Sequence, residues 1–255
     1  MSDRKSLFFG LVSMVAMGAV TTFVSADSID QYNSPAATPG GGTTYAGGVD
    51  MNVLHYEDFT LGTSAYTDAL IALGANVTFT ADPFQFESLL QSGSYDAVIA
   101  AHQNSFALAG WEDDLVNWVG ANPDAPVLIS DWRVNNPDVY GYLGALGFSY
   151  NGATNPFQGN PVAGGVFDGL GTASLASPGW GIYGYATGGG TTEATTESGL
   201  PFVSRSGNVF FNGFLSDVFA DASAGSEWVQ RELLVPAPGV LAFLGLGALA
   251  RRRRR

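Results

Sequence analysis

Between residues 51 and 147, four short apolar runs alternate with stretches of helical spacing, and this alternation constrains the fold more than any other feature of the chain. Asn52-Val53-Leu54-His55-Tyr56 reads as a first strand. Ser64 then caps a helix that carries Ala65, Ala69, Leu70 and Leu73 on one face and stops at Gly74. Val77-Thr78-Phe79-Thr80 is a second strand. Asp82-Pro83 supplies the N-cap and first residue of a second helix with Phe86, Leu89 and Leu90 facing inward. Ala97-Val98-Ile99-Ala100-Ala101 has the unbroken apolar run of a strand buried on both faces. Trp111, Leu115, Trp118 and Val119 keep helical spacing, Val127-Leu128-Ile129-Ser130 is a fourth strand, and Asn136-Pro137-Asp138 opens a further helix. Strands and helices in this order predict a three-layer α/β domain on a mostly parallel, doubly wound sheet. Beyond residue 147 the chain becomes glycine-rich and more β-like, at 180–185, 201–204 and 209–214, and a last helix is expected over 226–234. Gly188-Gly189-Gly190 reads as a loop.

Two further signals frame this domain. Arg4 and Lys5 precede an apolar run over residues 7–20, and Val24-Ser25-Ala26 offers small residues for cleavage, so residues 1–26 read as a signal peptide. Residues 27–50, rich in Ser, Pro, Gly and Thr, read as a flexible leader. The domain itself is expected over 51–232. Residues 233–250 carry no charge and are followed by five arginines at 251–255. Eighteen such residues reach the lower range of a membrane-spanning helix, and the arginines would hold its end on the cytoplasmic side.

Val235-Pro236-Ala237-Pro238-Gly239, a Leu/Gly/Ala-rich stretch and a terminal arginine cluster resemble a PEP-CTERM sorting domain. The motif departs from the family's at Ala237, where glutamate is usual. The resemblance implies a bacterial protein that inserts transiently in the membrane by its tail and is cut by an exosortase-type protease after signal peptidase has acted. It further implies release or attachment at the cell surface, with exopolysaccharide as a candidate partner there.

Charge narrows the function classes. Between residues 27 and 235 there are three arginines, no lysine and 22 acidic residues, a net charge of −19. Such a surface repels nucleic acid, which needs a basic patch, whereas it attracts divalent cations and stays soluble in salt. The chain has no cysteine, which excludes disulfides, thiolate metal sites and a cysteine nucleophile.

Val53-Leu54-His55-Tyr56, Tyr95-Asp96-Ala97-Val98-Ile99, Pro126-Val127-Leu128-Ile129 and the segment from Gly207 to Phe214 resemble the class I glutamine-amidotransferase-like fold, including its ThuA-like relatives. Where that family carries its nucleophilic cysteine, this chain has Ser130-Asp131-Trp132-Arg133, so the resemblance implies the fold without glutaminase chemistry. Ligands of open α/β sheets bind beyond the carboxyl ends of the strands. The polar residues expected there are His55, Glu57 and Asp58; His102, Gln103, Asn104 and Ser105; and Asp131, Arg133 and Asn135. Three readings of this cluster follow. One is a divalent metal held by His55, His102 and Asp131 or Glu57. Another is a sugar-sized pocket of Asn104, Asp131 and Arg133 with Trp132 or Trp180 stacking. The third is local pairing and capping alone. No complete catalytic set is visible, so the leading expectation is a non-catalytic binding or structural domain without cofactor. The alternative is a ThuA-like carbohydrate-active or metal-dependent enzyme, which requires His55, His102, Asp131 and Arg133 to converge.

Overall fold

The computed structural model describes residues 43–44, 49–104, 110–153, 155–176 and 185–235. The signal peptide, most of the leader, Ser105, Trp180 and the sorting motif from Pro236 onward lie outside the described residues. Among those described, no helix is long and apolar enough to cross a membrane.

The first half of the domain forms as its sequence pattern predicts. Strand β1 (Thr43–Thr44) precedes β2 (Asn52–Glu57), α1 (Ala65–Leu73), β3 (Asn76–Thr80), α2 (Pro83–Ser92), β4 (Ala97–His102), α3 (Trp111–Ala121) and β5 (Val127–Asp131). Ser64 Oγ accepts from Thr67 N at 3.2 Å at the start of α1, and Gly74, at φ 65°, closes it in the left-handed conformation. Asp82 caps α2 through Phe84 N at 2.9 Å, with Pro83 in the first turn where no donor is needed. Asn136-Pro137 opens a 3-10 turn, Pro137–Val139, that runs into α4 (Tyr140–Ala145).

The second half is more regular than its glycine content suggests. It contains β6 (Ser149–Ala153), β7 (Gln158–Pro161), β8 (Ala173–Ser174), β9 (Tyr185–Gly188), β10 (Thr191–Thr196), β11 (Pro201–Ser206), β12 (Val209–Asn212) and α5 (Ala222–Leu234). Gly188-Gly189-Gly190 is thus the end of β9 and a tight turn into β10, not an open loop. Gly190, at φ 68°, sits against the Arg205 carbonyl, where a side chain would collide.

Ten strands form one sheet in the order β1-β3-β2-β4-β5-β12-β11-β10-β7-β8, and β6 pairs with β9 separately. Only the five central strands, β3 to β12 in that order, are parallel to their neighbours; β1 and the four strands beyond β12 are antiparallel. The expectation of a mostly parallel sheet therefore holds for the centre, and the sheet as a whole is mixed.

Helices cover both faces. Tyr66, Leu70, Trp228 and Val229 of α1 and α5 pack on Val53, Ile99, Leu128 and Phe210. Phe86, Trp111 and Leu115 of α2 and α3 pack with Val98, Ile129 and Phe211 on the other face. Each fully buried residue of this size contributes roughly 1.5–3 kcal/mol. Helix α5 begins four residues earlier than its apolar spacing suggests, because Asp221 caps it through Ser223 N at 2.9 Å. Gly225 lies inside the helix: a Cβ there would stand 2.7 Å from the Phe219 ring and 3.1 Å from Ala65 Cβ. The missing side chain lets α5 close on α1. The helix continues through Leu233, which is buried, so the uncharged C-terminal run begins within the core.

Candidate functional site

The parallel strands run β2 to β3 in one direction and then return past β2 to β4, so β2 and β4 flank the point where the strand order reverses. This is the switch point at which open α/β sheets bind ligands. The polar residues picked out in the sequence do lie at this carboxyl edge, yet the sheet divides them.

Side chains alternate along a strand. On β2, Val53 belongs to the core under α1 and α5 and Leu54 to the core under α2 and α3. His55 and Glu57 therefore face α1 and α5, and Tyr56 faces α2 and α3. His55 pairs in register with Ile99, which places His102 of β4 on the opposite face from His55. His102 is itself in register with Asp131 of β5.

On the α2/α3 face, His102, Asp131 and Arg133 come together with Tyr56, Trp111, Glu112 and Tyr142. Asp131 Oδ1 accepts from Arg133 N at 2.9 Å and Nε at 3.1 Å, and Oδ2 from Arg133 Nη2 at 2.9 Å and the Tyr142 hydroxyl at 2.7 Å. The same Nη2 donates to Glu112 Oε1 at 2.9 Å, and the guanidinium lies 5.6 Å over the Trp111 ring. Burial alone would lower the Arg133 pKa, but hydrogen bonds and charge from Asp131 and Glu112 raise it, so the guanidinium stays charged. Burial pushes the Glu112 carboxyl up despite the opposing pull of Arg133. Burial, followed by the charge of Asp131, holds the Tyr142 hydroxyl well above its ordinary value and keeps it a donor. His102 Nδ1 meets the Tyr56 hydroxyl at 3.0 Å, and its ring stacks on Trp111 at 5.9 Å.

On the α1/α5 face, His55 Nε2 lies 3.3 Å from Glu57 Oε2, and Phe79 and Tyr66 pack edge-on against the imidazole. Gln103 Nε2 reaches Glu57 Oε1 at 3.4 Å and Ser216 Oγ at 3.0 Å. Asp58, at the strand end, accepts from the backbone N–H groups of Gln103 and Asn104 at 2.5 and 3.1 Å. Asn104 and Asn135 are exposed, and Trp132 is half-buried.

The proposed metal set of His55, His102 and Asp131 is therefore corrected. Its two histidines sit on opposite faces, and Asp131 has both oxygens occupied by Arg133 and Tyr142. Among the described residues, no three His, Asp or Glu side chains converge as a metal would need. The sugar pocket of Asn104, Asp131 and Arg133 does not assemble either, since Asn104 is exposed while the other two are buried against each other. Ser130, at the carboxyl end of β5, donates to the Phe214 carbonyl at 2.5 Å and is buried. Tyr142 and Glu112 carry no sequence signal for their roles, because only the tertiary fold returns α4 and the start of α3 to Arg133.

No family model matches the chain, and no curated protein matches it. Solved structures do. A GMP synthase component from Thermoplasma acidophilum is 10% identical, with a TM-score of 0.48 over 73% of this chain and 95% of that one. A glutamine amidotransferase of Thermotoga maritima is 13% identical, with a TM-score of 0.46 over 72% of this chain and 92% of that one. An α-L-fucosidase isoenzyme of Paenibacillus thiaminolyticus is 12% identical, with a TM-score of 0.43 over 73% of this chain and only 32% of its own length.

Proposed function

We propose that this is an exported, exosortase-sorted protein of the bacterial surface or extracellular space, and that its α/β domain is a non-catalytic binding or structural module. One observation carries the second part: the polar groups at the switch point are engaged with one another. Asp131 is closed by Arg133 and Tyr142, Asp58 by two backbone donors, and Glu57 Oε1 is reached by Gln103. A general base or nucleophile needs a free lone pair aimed at substrate. Nη1 of Arg133 and Nε1 of Trp111 find no acceptor among the described residues and are buried. The central strand order, with its reversal between β2 and β4, supports an amidotransferase-like fold that has lost its nucleophile. The sorting part rests on Val235-Pro236-Ala237-Pro238-Gly239, the uncharged run and the arginine tail.

An epitope tag placed in the leader at 27–50 tests the sorting reading. The full chain is expected outside the cell in a shortened form, and a variant without residues 251–255 is expected to remain uncut in the membrane. Equal distribution of the two would sink it. Turnover of glycosides by the purified protein would refute the non-catalytic assignment.

A further inference from the structure

Helix α5 places a carboxyl group in the middle of the core. Glu232 is four residues from Trp228 and three from Val229, so it shares their inward face, and none of its surface is exposed. Its Oε2 accepts from Asn212 Nδ2 at 2.9 Å, and the same amide reaches the buried Tyr66 hydroxyl at 3.1 Å. One side chain of β12 thus ties α5 to α1. Oε1 of Glu232 finds no partner among the described residues. The groups facing it are Asn212 on β12, Tyr66 on α1 and the carboxyl of Glu193 on β10; Tyr66 in turn feels Glu57 of β2, and none of these is a cation. Arg231, beside it on α5, is exposed.

We propose that Glu232 is a proton-held latch, fastening helix α5 to α1 and the sheet through Asn212 and Tyr66 only while its carboxyl is neutral. A neutral acid here leaves one O–H to satisfy and no charge to desolvate, a cost far below that of a bare carboxylate in an apolar site. A carboxylate with one donor, no counter-ion and Glu193 nearby is not stable there, and its cheapest escape is to draw α5 outward. Burial, the largest cause, raises this carboxyl to about 8. An unfolded chain releases the same proton near pH ~4.3. The native state therefore holds more protons than the unfolded state between those values, and stability falls as pH rises through the window. Because α5 runs into Val235, the latch sets how firmly the stem of the C-terminal segment is docked; the latch itself does not depend on the sorting reading.

Hydrogen exchange of the full chain, corrected for intrinsic rates and followed from about pH 6 to about pH 9.5, tests it. Peptides covering Ala222–Leu234 should lose protection about tenfold per pH unit up to the titration midpoint near 8 and level off above it. Glu232→Gln should keep that protection level, and the infrared carbonyl band of a protonated acid, present below the midpoint, should vanish in this variant. Constant wild-type protection across the range, an unchanged midpoint in Glu232→Gln, or no such band in the wild type would overturn the proposal. Where Glu232→Gln does not fold, the wild-type titration decides alone.

Discussion

Replacing Asp131 by alanine separates a structural clamp from a working site. The substitution removes four hydrogen bonds, three from Arg133 and one from Tyr142, at a residue that is 2% exposed. What remains is a buried guanidinium with, among the described residues, Glu112 as the carboxylate it pairs with, and a buried Tyr142 hydroxyl without that acceptor. Breaking one partner of a buried ion pair costs about 3–5 kcal/mol. Glu112 keeps part of the charge compensated and pulls the figure down, while the orphaned hydroxyl pushes it up by about 1–3 kcal/mol. A net loss of about 4 kcal/mol is expected. With a urea slope of about 2 kcal/mol per M, the unfolding midpoint moves down by about 2 M. The double variant Asp131→Leu with Arg133→Met, which removes both charges and keeps apolar volume, should recover at least half of that loss. An Asp131→Ala loss below about 1 kcal/mol, the range of an exposed pair, would refute the clamp and return Asp131 to the list of residues held ready for a ligand.

Other outcomes follow from the same geometry. Calorimetry with a divalent cation should give the same weak uptake for wild type, His55→Ala and His102→Ala, since the sheet separates the two imidazoles; loss of one stoichiometric site in both variants would reverse that conclusion. Gly225→Leu should cost about 1–3 kcal/mol by wedging α5 from α1, read by thermal unfolding, and wild-type stability would show that the helices are not in close contact. Trp228→Ala, which empties the stack on Phe167 at 4.4 Å, should cost about 3–5 kcal/mol in the same assay.

The first half of the domain was legible almost to the residue. Ser64, Asp82-Pro83 and Gly74 carry local signals whose physics does not depend on the rest of the chain. The antiparallel half was harder to read for equally local reasons. Strand β7 is Gln-Gly-Asn-Pro, which contains the two residues least expected in a strand, and β10 is interrupted by register shifts at Ala194. The candidate residues were placed at the correct sheet edge, but not on the correct faces. Alternation alone puts His55 and Tyr56 on opposite sides; the register that relates His55 to Ile99, and hence to His102, is a tertiary fact. Glu232 had a readable signal, since Trp228 and Glu232 are four apart, but a charged residue near a helix end is ordinarily assigned to solvent.

The long sheet ends on β1 at one side and β8 at the other, each only two residues long. A chain that seeks to add itself to a sheet needs a run of unpaired backbone groups along an open margin, and a two-residue end strand offers only a short one of its own. Copies of the domain meeting end strand to end strand would therefore find little backbone to pair with there.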